Sequence, residues 1–339
     1  MHPSQPTSTG RAPTIVNVAA AAGVSPMTVS KVLRGTGRIS AATRERVIRV
    51  ADELGYVPNG LAGALSSQNS QIVGVLIPSI GDMVYSGVLA GINAVLVPRG
   101  LASFIGETFF DAQNEARLVR TMLSLKPAGL ILTGGLERTA GTAHLLRQSG
   151  VRCVQLWDGD HPDLDATVGL SHVAAGRAAA DIFLSAGLRE AVFIGAQLDR
   201  DLCAARRMEG FHARMTQAGG SCRIVADDAL QRDAASGQML TASLLQGSAL
   251  PEAIHFLNDA MAIGGLRALV AAGVEVPRRT SVIGFNGTSL RHAIQTRLTT
   301  IEVPLDEVGT RVALALLEKD VSATDIVPFR VVMGNTVRS

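Results

Sequence analysis

The sequence predicts an α/β protein in which an all-helical head precedes a two-lobed body of doubly wound parallel sheets. Near the start of the chain, two short apolar helices are joined by a glycine turn at residues 23–25. From residue 72 onward, short apolar runs alternate with helical patterns, which is typical of parallel sheets covered by helices. The length of 339 residues leaves room for a small head and one large or two moderate further domains.

The head begins with a helix predicted over residues 15–22. Gly23 can adopt the positive φ that the turn after this helix requires. Ser25 can cap a second helix over residues 26–33, with Pro26 at the first helical position, where its missing N–H costs nothing. Two short helices joined in this way form a helix-turn-helix, a device for laying a helix in the major groove of DNA.

The alternative interpretation of this segment is an ordinary helical hairpin at the start of an enzyme. A basic loop at residues 34–38 and a third helix over residues 41–54, capped by Ser40 and ended by Gly55, favour the DNA-binding interpretation. Residues 1–60 carry seven Lys and Arg against three Asp and Glu, whereas the remainder carries 24 against 26, so the formal charges are +4 and −2. Because nucleic-acid affinity depends largely on neutralising phosphates, this division favours a nucleic-acid partner for the head.

The body contains apolar runs predicted as strands, at residues 72–78, 102–106, 128–133, 152–157, 191–195, 224–226, 253–257, 282–285 and 298–303. Helical patterns separate them, for example at residues 85–97, 113–125, 172–186, 205–218 and 260–271. About ten strands divide better into two lobes than into one sheet, so we expect a break near residues 168–172 and a return crossing near residues 302–305. Ligands of such folds bind outside the carboxyl ends of the strands, which here is the cleft between the lobes.

Three stretches carry a resemblance to a known family: TIVNVAAAAGVSPMTVSKVLRG, ISAATRERVIRVADELGYVPN and LAGALSSQNSQIVGVLIPS. In order and spacing they resemble the LacI family of regulators, and the body from residue 72 onward is similar to the periplasmic sugar-binding-protein fold of that family. The resemblance implies three partners: double-stranded operator DNA, a small carbohydrate effector and a second copy of the chain. Gly60 departs from the family pattern, which usually has Arg or a similar residue there, and this removes one potential phosphate contact.

The helix-turn-helix pattern and the resemblance together predict a set of DNA-contacting residues. Short polar and basic side chains at the start of the second helix can reach base edges and phosphates. The family's hinge-helix leucine, which enters the minor groove, corresponds to Leu65, and Ala62 lies beside it. The full predicted set is Thr14, Ser25, Pro26, Met27, Thr28, Ser30, Lys31, Arg34, Arg38, Tyr56, Asn59, Ala62 and Leu65.

The expected domain organisation has four segments. They are an unstructured tail at residues 1–12, the helix-turn-helix domain at 13–58, a hinge helix and linker at 59–71, and an effector-binding and dimerisation domain at 72–339. Within the last, we expect one lobe at about 72–169 and 303–324, and the other at about 170–302 and 325–339. No leucine heptad follows residue 321, which favours a dimer over a tetramer.

Within the family, the body most resembles the gluconate-operon repressor group, on stretches such as VQLWD, FLNDAMAIGG and IGFNGTSLRHAIQTRLTTI. Arg207 corresponds to the arginine with which many members hold the ligand, and it can bind a carboxylate or phosphate through two hydrogen bonds. Asn286 stands where many sugar-binding members have an aspartate, and loss of that carboxylate favours an anionic guest. The resemblance implies an effector site formed by Asp82, Tyr85, Asp158, Arg207, Asn258, Asp259 and Asn286.

A sugar acid such as gluconate, or its phosphorylated form, is therefore the expected effector, and Arg200 would add a second positive charge. A neutral sugar is the alternative. Each of these residues also has a structural interpretation: Asn258 and Asp259 could cap the next helix, and Tyr85 could pack between helices.

The sequence predicts neither an enzyme nor a metal or cofactor site. It contains no GxSxG, HExxH, phosphate-loop lysine or cluster with metal-ligand spacing. A sugar kinase or hydrolase and a secreted binding protein are the remaining alternatives. Residues 1–12 lack the apolar segment of a signal peptide, and no apolar run approaches the roughly 18 residues of a membrane span. Cys153, Cys203 and Cys222 form no CxxC and are expected to be reduced, so we expect a cytoplasmic protein with no membrane partner.

Overall fold

The computed structural model describes residues 12–57, 70–247, 249–293, 295–318 and 324–338. The chain divides into two compact units, residues 1–70 and residues 71–339. Among the described residues, no single helix is long and apolar enough to cross a membrane. Within the same ranges, one pair of helices, Ile15–Ala22 and Pro26–Leu33, bent by 102°, reaches the required length and composition when the two are taken together.

The first unit contains three helices, α1 (Ile15–Ala22), α2 (Pro26–Leu33) and α3 (Ala41–Glu53). Each helix contributes a fully buried valine to a common core: Val18, Val29 and Val47. The remaining buried members of this core are Ala19, Ala22, Val32, Val50 and Ala51. The spacing of these side chains puts one apolar stripe on each short helix, so packing of the three stripes stabilises helices that would be marginal alone.

The first lobe of the body (the N-lobe) is built on a six-stranded parallel sheet of order β11-β5-β4-β3-β1-β2. Its inner strands β1, β3, β4 and β5 are buried apolar runs, as expected for a parallel sheet covered on both faces, whereas the edge strands β2 and β11 are partly exposed. The elements are β1 (Ile72–Ile77), α4 (Met83–Leu96), a 3-10 turn (Val97–Arg99), β2 (Ala102–Glu107), α5 (Ala112–Ser124), β3 (Gly129–Thr133), α6 (Ala140–Gln148), β4 (Cys153–Asp158), β5 (Ala166–Leu170), α11 (Leu305–Leu317) and β11 (Thr324–Ile326).

The second lobe (the C-lobe) is built on a six-stranded sheet of order β12-β10-β9-β8-β6-β7. All neighbouring strands are parallel except β10 and β12, which run antiparallel. The elements are α7 (His172–Ser185), β6 (Glu190–Gly195), α8 (Leu202–Gln217), β7 (Ser221–Ala226), α9 (Ala234–Gly247), β8 (Ala253–Phe256), α10 (Asp259–Ala271), β9 (Ser281–Asn286), a 3-10 turn (Ser289–Ala293), β10 (Thr299–Glu302) and β12 (Arg330–Val332).

The chain passes between the two sheets three times, after β5, after β10 and after β11. β5, β11 and β12 are not among the apolar runs that the sequence singles out as strands. β5 contains a glycine and a threonine in five residues, and the other two are only three residues long, so their apolar signal is weak. β11 extends to Ile326, two residues beyond the expected lobe boundary at 324.

The close approach of α7 and α8 positions the part of α8 that faces the cleft. A Cβ atom added at Gly176 of α7 would overlap the carbonyl oxygen of Arg207, and one added at Gly210 of α8 would overlap that of Val173. Glycine on both helices therefore lets the two backbones touch. This contact lies at Arg207, whose side chain lines the C-lobe side of the cleft.

Candidate nucleic-acid interface and ligand cleft

The turn between α1 and α2 has the geometry that the sequence predicts. Gly23 has φ 63°, in the left-handed region that glycine adopts without a steric penalty. The Ser25 Oγ accepts a hydrogen bond from the Thr28 backbone N–H at 3.1 Å, and Pro26 is the first helical residue. The start and direction of α2 are thus determined by local capping.

The outward face of α2 and the following loop is polar and basic apart from one methionine. Met27 is 67% exposed. Lys31, Arg34 and Arg38 are also exposed, and the Arg34 Nε donates to the Ser30 carbonyl at 3.2 Å. Of the other predicted contacts on α2, Ser25 and Pro26 are exposed, whereas Thr28 and Ser30 are half-buried. This surface combines a base-reading helix start with cations for phosphates.

The remaining predicted DNA contacts differ in accessibility. Thr14 is exposed, and its backbone N–H and hydroxyl both donate to the Asn17 Oδ1, at 2.9 and 2.6 Å. Tyr56 is half-buried against the apolar core of the head, so only part of its ring can face a partner. Asn59, Ala62 and Leu65 lie outside the described residues.

A cavity of about 700 Å³ lies between the two lobes, at the carboxyl ends of their strands. Four of the predicted effector residues line it: Asp82, Asn258, Asp259 and Asn286. A small, deeper extension of the cavity is lined by Tyr85 and Arg207. Asp158 lies outside both volumes. The cleft is therefore where the sequence predicts it, with one predicted residue outside it.

Arg207 of α8 is buried, with 3% of its surface exposed. Its Nη1 donates to the His172 Nδ1 at 3.0 Å, its Nη2 donates to the Leu257 carbonyl at 3.0 Å, and its guanidinium carbon lies 3.7 Å from the centre of the Phe285 ring. The Nε has no hydrogen-bond partner among the described residues. Burial lowers the pKa of Arg207 to about 10, so it remains charged at neutral pH.

His172, the first residue of α7, orients Arg207. Because its Nδ1 accepts from the arginine, its Nε2 carries the hydrogen and donates to the Trp157 carbonyl at 3.3 Å. Burial, and then the charge of Arg207, hold the pKa of His172 well below its usual value. The ring is therefore neutral and acts as an acceptor for the guanidinium rather than as a titrating group.

Arg232, in the loop between β7 and α9, joins the two lobes across the cavity. Its Nη1 lies 2.5 Å from the Asp201 Oδ2 of the C-lobe, and its Nη2 lies 3.1 Å from the Asp82 Oδ2 of the N-lobe. Its guanidinium carbon lies 4.4 Å from the centre of the Phe110 ring, also in the N-lobe. Burial lowers the pKa of Arg232, but the carboxylates of Asp201 and Asp82 outweigh this and raise it overall.

The sequence gives little indication of Arg232. It lies in a polar loop without a motif, and its N-lobe partner Asp82 is 150 positions away in the chain. Phe110, whose ring stacks against the Arg232 guanidinium, follows Phe109 after β2. Both residues have positive φ, 54° at Phe109 and 53° at Phe110. Non-glycine residues in this conformation are strained and often occur at ligand-binding sites. The strained backbone at Phe109 and Phe110 therefore marks this part of the cleft, and it is visible only in the structure.

Asp158, predicted to face the effector, instead forms a second ion pair between the lobes. Its Oδ2 lies 2.5 Å from the Arg206 Nη1 of α8, and its Oδ1 accepts from the backbone N–H groups of Asp160 and His161. The carboxylate is thus fully engaged within the protein. The ion-pair partner of the Asp158 carboxylate is therefore Arg206 and not a ligand.

Asn258 and Asp259 line the cavity, but the fold already uses their polar atoms. The Asn258 Oδ1 caps α10 by accepting from the Met261 N–H at 2.8 Å, and its Nδ2 donates to the Arg232 carbonyl at 2.9 Å. Asp259 accepts from the Thr300 hydroxyl at 2.7 Å and from the Thr288 N–H at 2.7 Å. Burial raises the pKa of Asp259 to about 6. The capping interpretation thus accounts for the contacts of Asn258, and both side chains shape the cavity wall.

Asn286, at the end of β9, retains an unused acceptor. Its Oδ1 is buried and has no hydrogen-bond partner among the described residues, and its backbone has φ 95°. An unsatisfied buried acceptor costs about 1–3 kcal/mol, which a hydroxyl or amine donor from a ligand would offset. Tyr85, at the deep end, is buried with its ring 6.5 Å from that of Trp157, and burial raises its pKa well above the usual value.

Comparison with known proteins assigns the chain to a family. A model of the bacterial regulatory proteins of the lacI family matches residues 14–59, and a periplasmic binding protein-like domain model matches residues 180–337. The HTH-type transcriptional regulator GntR of Pseudomonas aeruginosa is 38% identical over 312 residues, which cover 91% of this chain and 89% of that protein. The chain belongs to the LacI family of bacterial regulatory proteins.

Solved structures of LacI-family members agree with this assignment. A LacI-family transcriptional regulator from Silicibacter pomeroyi superposes with a TM-score of 0.91 at 34% identity, over 96% of this chain and 99% of that one. The lac repressor dimer, bound to its operator and the anti-inducer ONPF, shares the fold with a TM-score of 0.81 at 24% identity, over 97% and 100% of the two chains. The predictions of a LacI-family fold and of a DNA-binding transcriptional regulator are confirmed.

Proposed function

We propose that this LacI-family regulator is a homodimeric repressor that releases its operator when a sugar acid of the gluconate type binds the cleft. The single observation that carries the choice of effector is the environment of Arg207. A buried charge is unfavourable unless a partner compensates it, and among the described residues no carboxylate lies within ion-pair distance of this guanidinium. A ligand carboxylate or phosphate would supply the missing partner through charge-assisted hydrogen bonds.

The rest of the cleft fits a polyhydroxy chain attached to such an anion. A cavity of about 700 Å³ is ample for a six-carbon guest. The free acceptor of Asn286 calls for a hydroxyl donor, and gluconate carries one on the carbon next to its carboxylate. The relative named GntR and the resemblance to the gluconate-operon group support the same class of guest.

Operator recognition would come from the exposed start of α2, one head for each half-site. A single helix-turn-helix contacts few base pairs, so a twofold dimer on a near-palindromic operator doubles the contacts and the specificity. The partner of the head is therefore double-stranded DNA. We place the action of the regulator in the cytoplasm.

The edges of both lobes offer apolar surface for the second copy. β2 and β7 are the edge strands of the two sheets, and they expose Phe104 (47%), Ile105 (40%) and Ile224 (46%). In the N-lobe, α4 leads into the exposed Val97 beside this edge. In the C-lobe, α10 is mostly buried and exposes Val270 and Arg267, so β7 and α10 would form the contact together. Exposed apolar patches of this kind mark protein–protein contacts.

Ligand binding would shift the population of lobe arrangements rather than create a new one. An effector that contacts both lobes favours the closed cleft, and the dimer couples this arrangement to the spacing of the two heads. A coupling free energy of about 1–3 kcal/mol, typical of such systems, corresponds to a 5- to 150-fold change in operator affinity.

Selection of bound DNA from a random pool, with and without candidate effectors, tests this function. We expect enrichment of one near-palindromic sequence, and loss of that enrichment with gluconate or its 6-phosphate but not with glucose. Enrichment that responds only to the neutral sugar would assign the regulator to the alternative effector class. Failure to enrich any sequence at low ionic strength would reject the proposed operator binding.

A further inference from the structure

The cavity contains a three-residue charge cluster, formed by Asp82, Asp201 and Arg232, that the proposed function does not use. The Arg232 guanidinium lies between the carboxylates, 2.5 Å from Asp201 and 3.1 Å from Asp82. Arg232 lines both the main cavity and its deep extension, together with Asp82, and Asp201 lines the extension. The formal charge of the cluster is −1, and without the arginine it would be −2.

The contacts of the two carboxylates explain why this charge matters for a guest. Both aspartates cap helices through their Oδ1 atoms: Asp82 accepts from the Val84 N–H at 3.2 Å, and Asp201 accepts from the Ala204 N–H at 3.0 Å. Their Oδ2 atoms point to Arg232. The carboxylates are thus held at the cavity wall by the fold, and Arg232 alone, among the described residues, neutralises those oxygens through ion pairs.

We infer that Arg232 determines the charge selectivity of the cleft, by reducing the charge of two carboxylates that would otherwise repel an acidic effector from −2 to −1. This inference rests on the proposed function, because it concerns the same cleft and the same class of guest. Arg207 supplies the positive group that binds the anion, and Arg232 halves the negative charge that opposes it. A cleft with Arg207 but without Arg232 would favour a neutral polyol, whose hydroxyls donate well to free carboxylates.

The surroundings of Arg232 indicate that its side chain can be altered without loss of the loop. The loop is anchored through the Arg232 backbone carbonyl, which accepts from the Asn258 Nδ2 at 2.9 Å and does not depend on the side chain. The guanidinium carbon lies 4.4 Å from the Phe110 ring, a stacking contact that a planar glutamine amide can partly retain. Asparagine at position 201 can still cap α8, because its side-chain oxygen accepts in the same way.

Titration calorimetry with the full chain tests the inference. The two ligands are gluconate and glucitol, which share a six-carbon polyhydroxy chain and differ in that gluconate has a carboxylate where glucitol has a hydroxymethyl group. We expect Arg232→Gln to lower the affinity for both ligands by a common factor, because the ion pair with Asp82 is lost, and to weaken gluconate binding on the order of 30-fold more than glucitol binding. One lost charge roughly 8 Å from the bound carboxylate, at an effective dielectric of about 20, implies this ratio. The variant Arg232→Gln/Asp201→Asn restores the cluster charge to −1 and should recover most of the preference for gluconate over glucitol.

Asp201→Asn alone provides an independent measurement that does not depend on the folding of the arginine variant. It raises the cluster charge to zero, and we expect gluconate to bind several-fold more tightly while glucitol binding stays the same. If Arg232→Gln weakens gluconate and glucitol binding equally, or if Asp201→Asn leaves the preference unchanged, the inference is wrong while the proposed effector class stands. A wild-type protein that binds glucitol but not gluconate would reject the effector class, and the inference with it.

Discussion

The Arg206 guanidinium of α8 lies 2.5 Å from the Asp158 carboxylate at the end of β4, so a buried ion pair joins the C-lobe to the N-lobe. Asp158 is 2% exposed and Arg206 is mostly buried. With the Arg232–Asp82 pair, the lobes are thus joined at two points by oppositely charged groups. Side chains of the protein itself thus bridge the two lobes beside the cavity, which bears directly on how an effector acts.

Loss of the Arg206–Asp158 pair should open the cleft. In Arg206→Gln, the Asp158 carboxylate loses its buried partner, and separation of the lobes lets water solvate it. We expect the radius of gyration from small-angle scattering to rise, and effector affinity to fall about tenfold, because closure must now be driven by the ligand.

Arg214→Gln is the matched control for this experiment. Arg214 lies on the same helix and pairs with Asp181 at 2.6 Å, but both residues belong to the C-lobe and are partly exposed. Its loss should change neither scattering nor effector affinity, since exposed pairs contribute about 0–1 kcal/mol. An equal effect of both variants would show that the Arg206 pair does not hold the lobes together.

Arg207→Met should abolish the response to the sugar acid while leaving operator binding intact. Methionine fills much of the same volume but cannot supply the charge or the two hydrogen bonds, so we expect at least a 100-fold loss of gluconate affinity by calorimetry. Arg200→Met is the control: Arg200 lines the outer cavity with its side chain 58% exposed, and solvent screens its charge, so a loss of only a few-fold is expected. Normal induction of Arg207→Met would remove Arg207 from the effector site.

The buried, neutral His172 should make the protein less stable at acidic pH. Burial and Arg207 lower the pKa of this histidine in the folded state, whereas its pKa in the unfolded chain is about 6.5. Below that pH the unfolded state takes up a proton that the folded state excludes, so this contribution to the free energy of unfolding decreases by up to about 1.4 kcal/mol per pH unit. Above about pH 7.5 the histidine is neutral in both states, so this loss of stability is absent.

His172→Gln removes this titration but keeps an acceptor for Arg207. Denaturation by urea between pH 5 and pH 8 should show that the stability difference between wild type and variant shrinks as the pH falls. Asp259 acts in the opposite sense, because its pKa is raised to about 6 and protonation favours the folded state, but it is common to both proteins and cancels. A stability difference that is independent of pH would show that the wild-type histidine is not held neutral.

The salt dependence of operator binding tests the face of α2. Lys31 is exposed on that face, and if it contacts a phosphate, Lys31→Met should reduce the slope of log affinity against log salt by about 0.9. Arg49→Met is the control of equal charge change, because Arg49 lies on α3 and faces Glu53 at 3.8 Å in an exposed i,i+4 pair. Equal slope changes in the two variants would contradict the assignment of α2 to the DNA.

Local signals made the head predictable from sequence. The cap at Ser25 and the turn at Gly23 depend on residues within four positions of each other, and the structure contains both. The alternation of apolar runs and helical patterns likewise indicated two parallel sheets, because each strand and its helix are adjacent in the chain. Only the short strands β11 and β12 and the small-residue strand β5 lack a clear pattern.

The cleft was less predictable, because its electrostatics depend on partners distant in the chain. Asp158 ends a strand, as ligand-facing residues of the family do, but Arg206, 48 positions later, occupies its carboxylate. Arg232 has no motif at all, and its significance arises from Asp82, 150 positions earlier. Charge pairing across two lobes leaves no periodicity or spacing in the sequence, so only the folded chain reveals it.

We expect an acidic guest at Arg207 to weaken the binding of the head to operator DNA. Fluorescence anisotropy with the selected operator, titrated with gluconate at a concentration that saturates the cleft by calorimetry, measures this coupling directly. We expect a loss of operator affinity of about 5- to 150-fold in the wild type and no change in Arg207→Met. Operator affinity that stays constant while gluconate saturates the wild-type cleft would contradict this expectation.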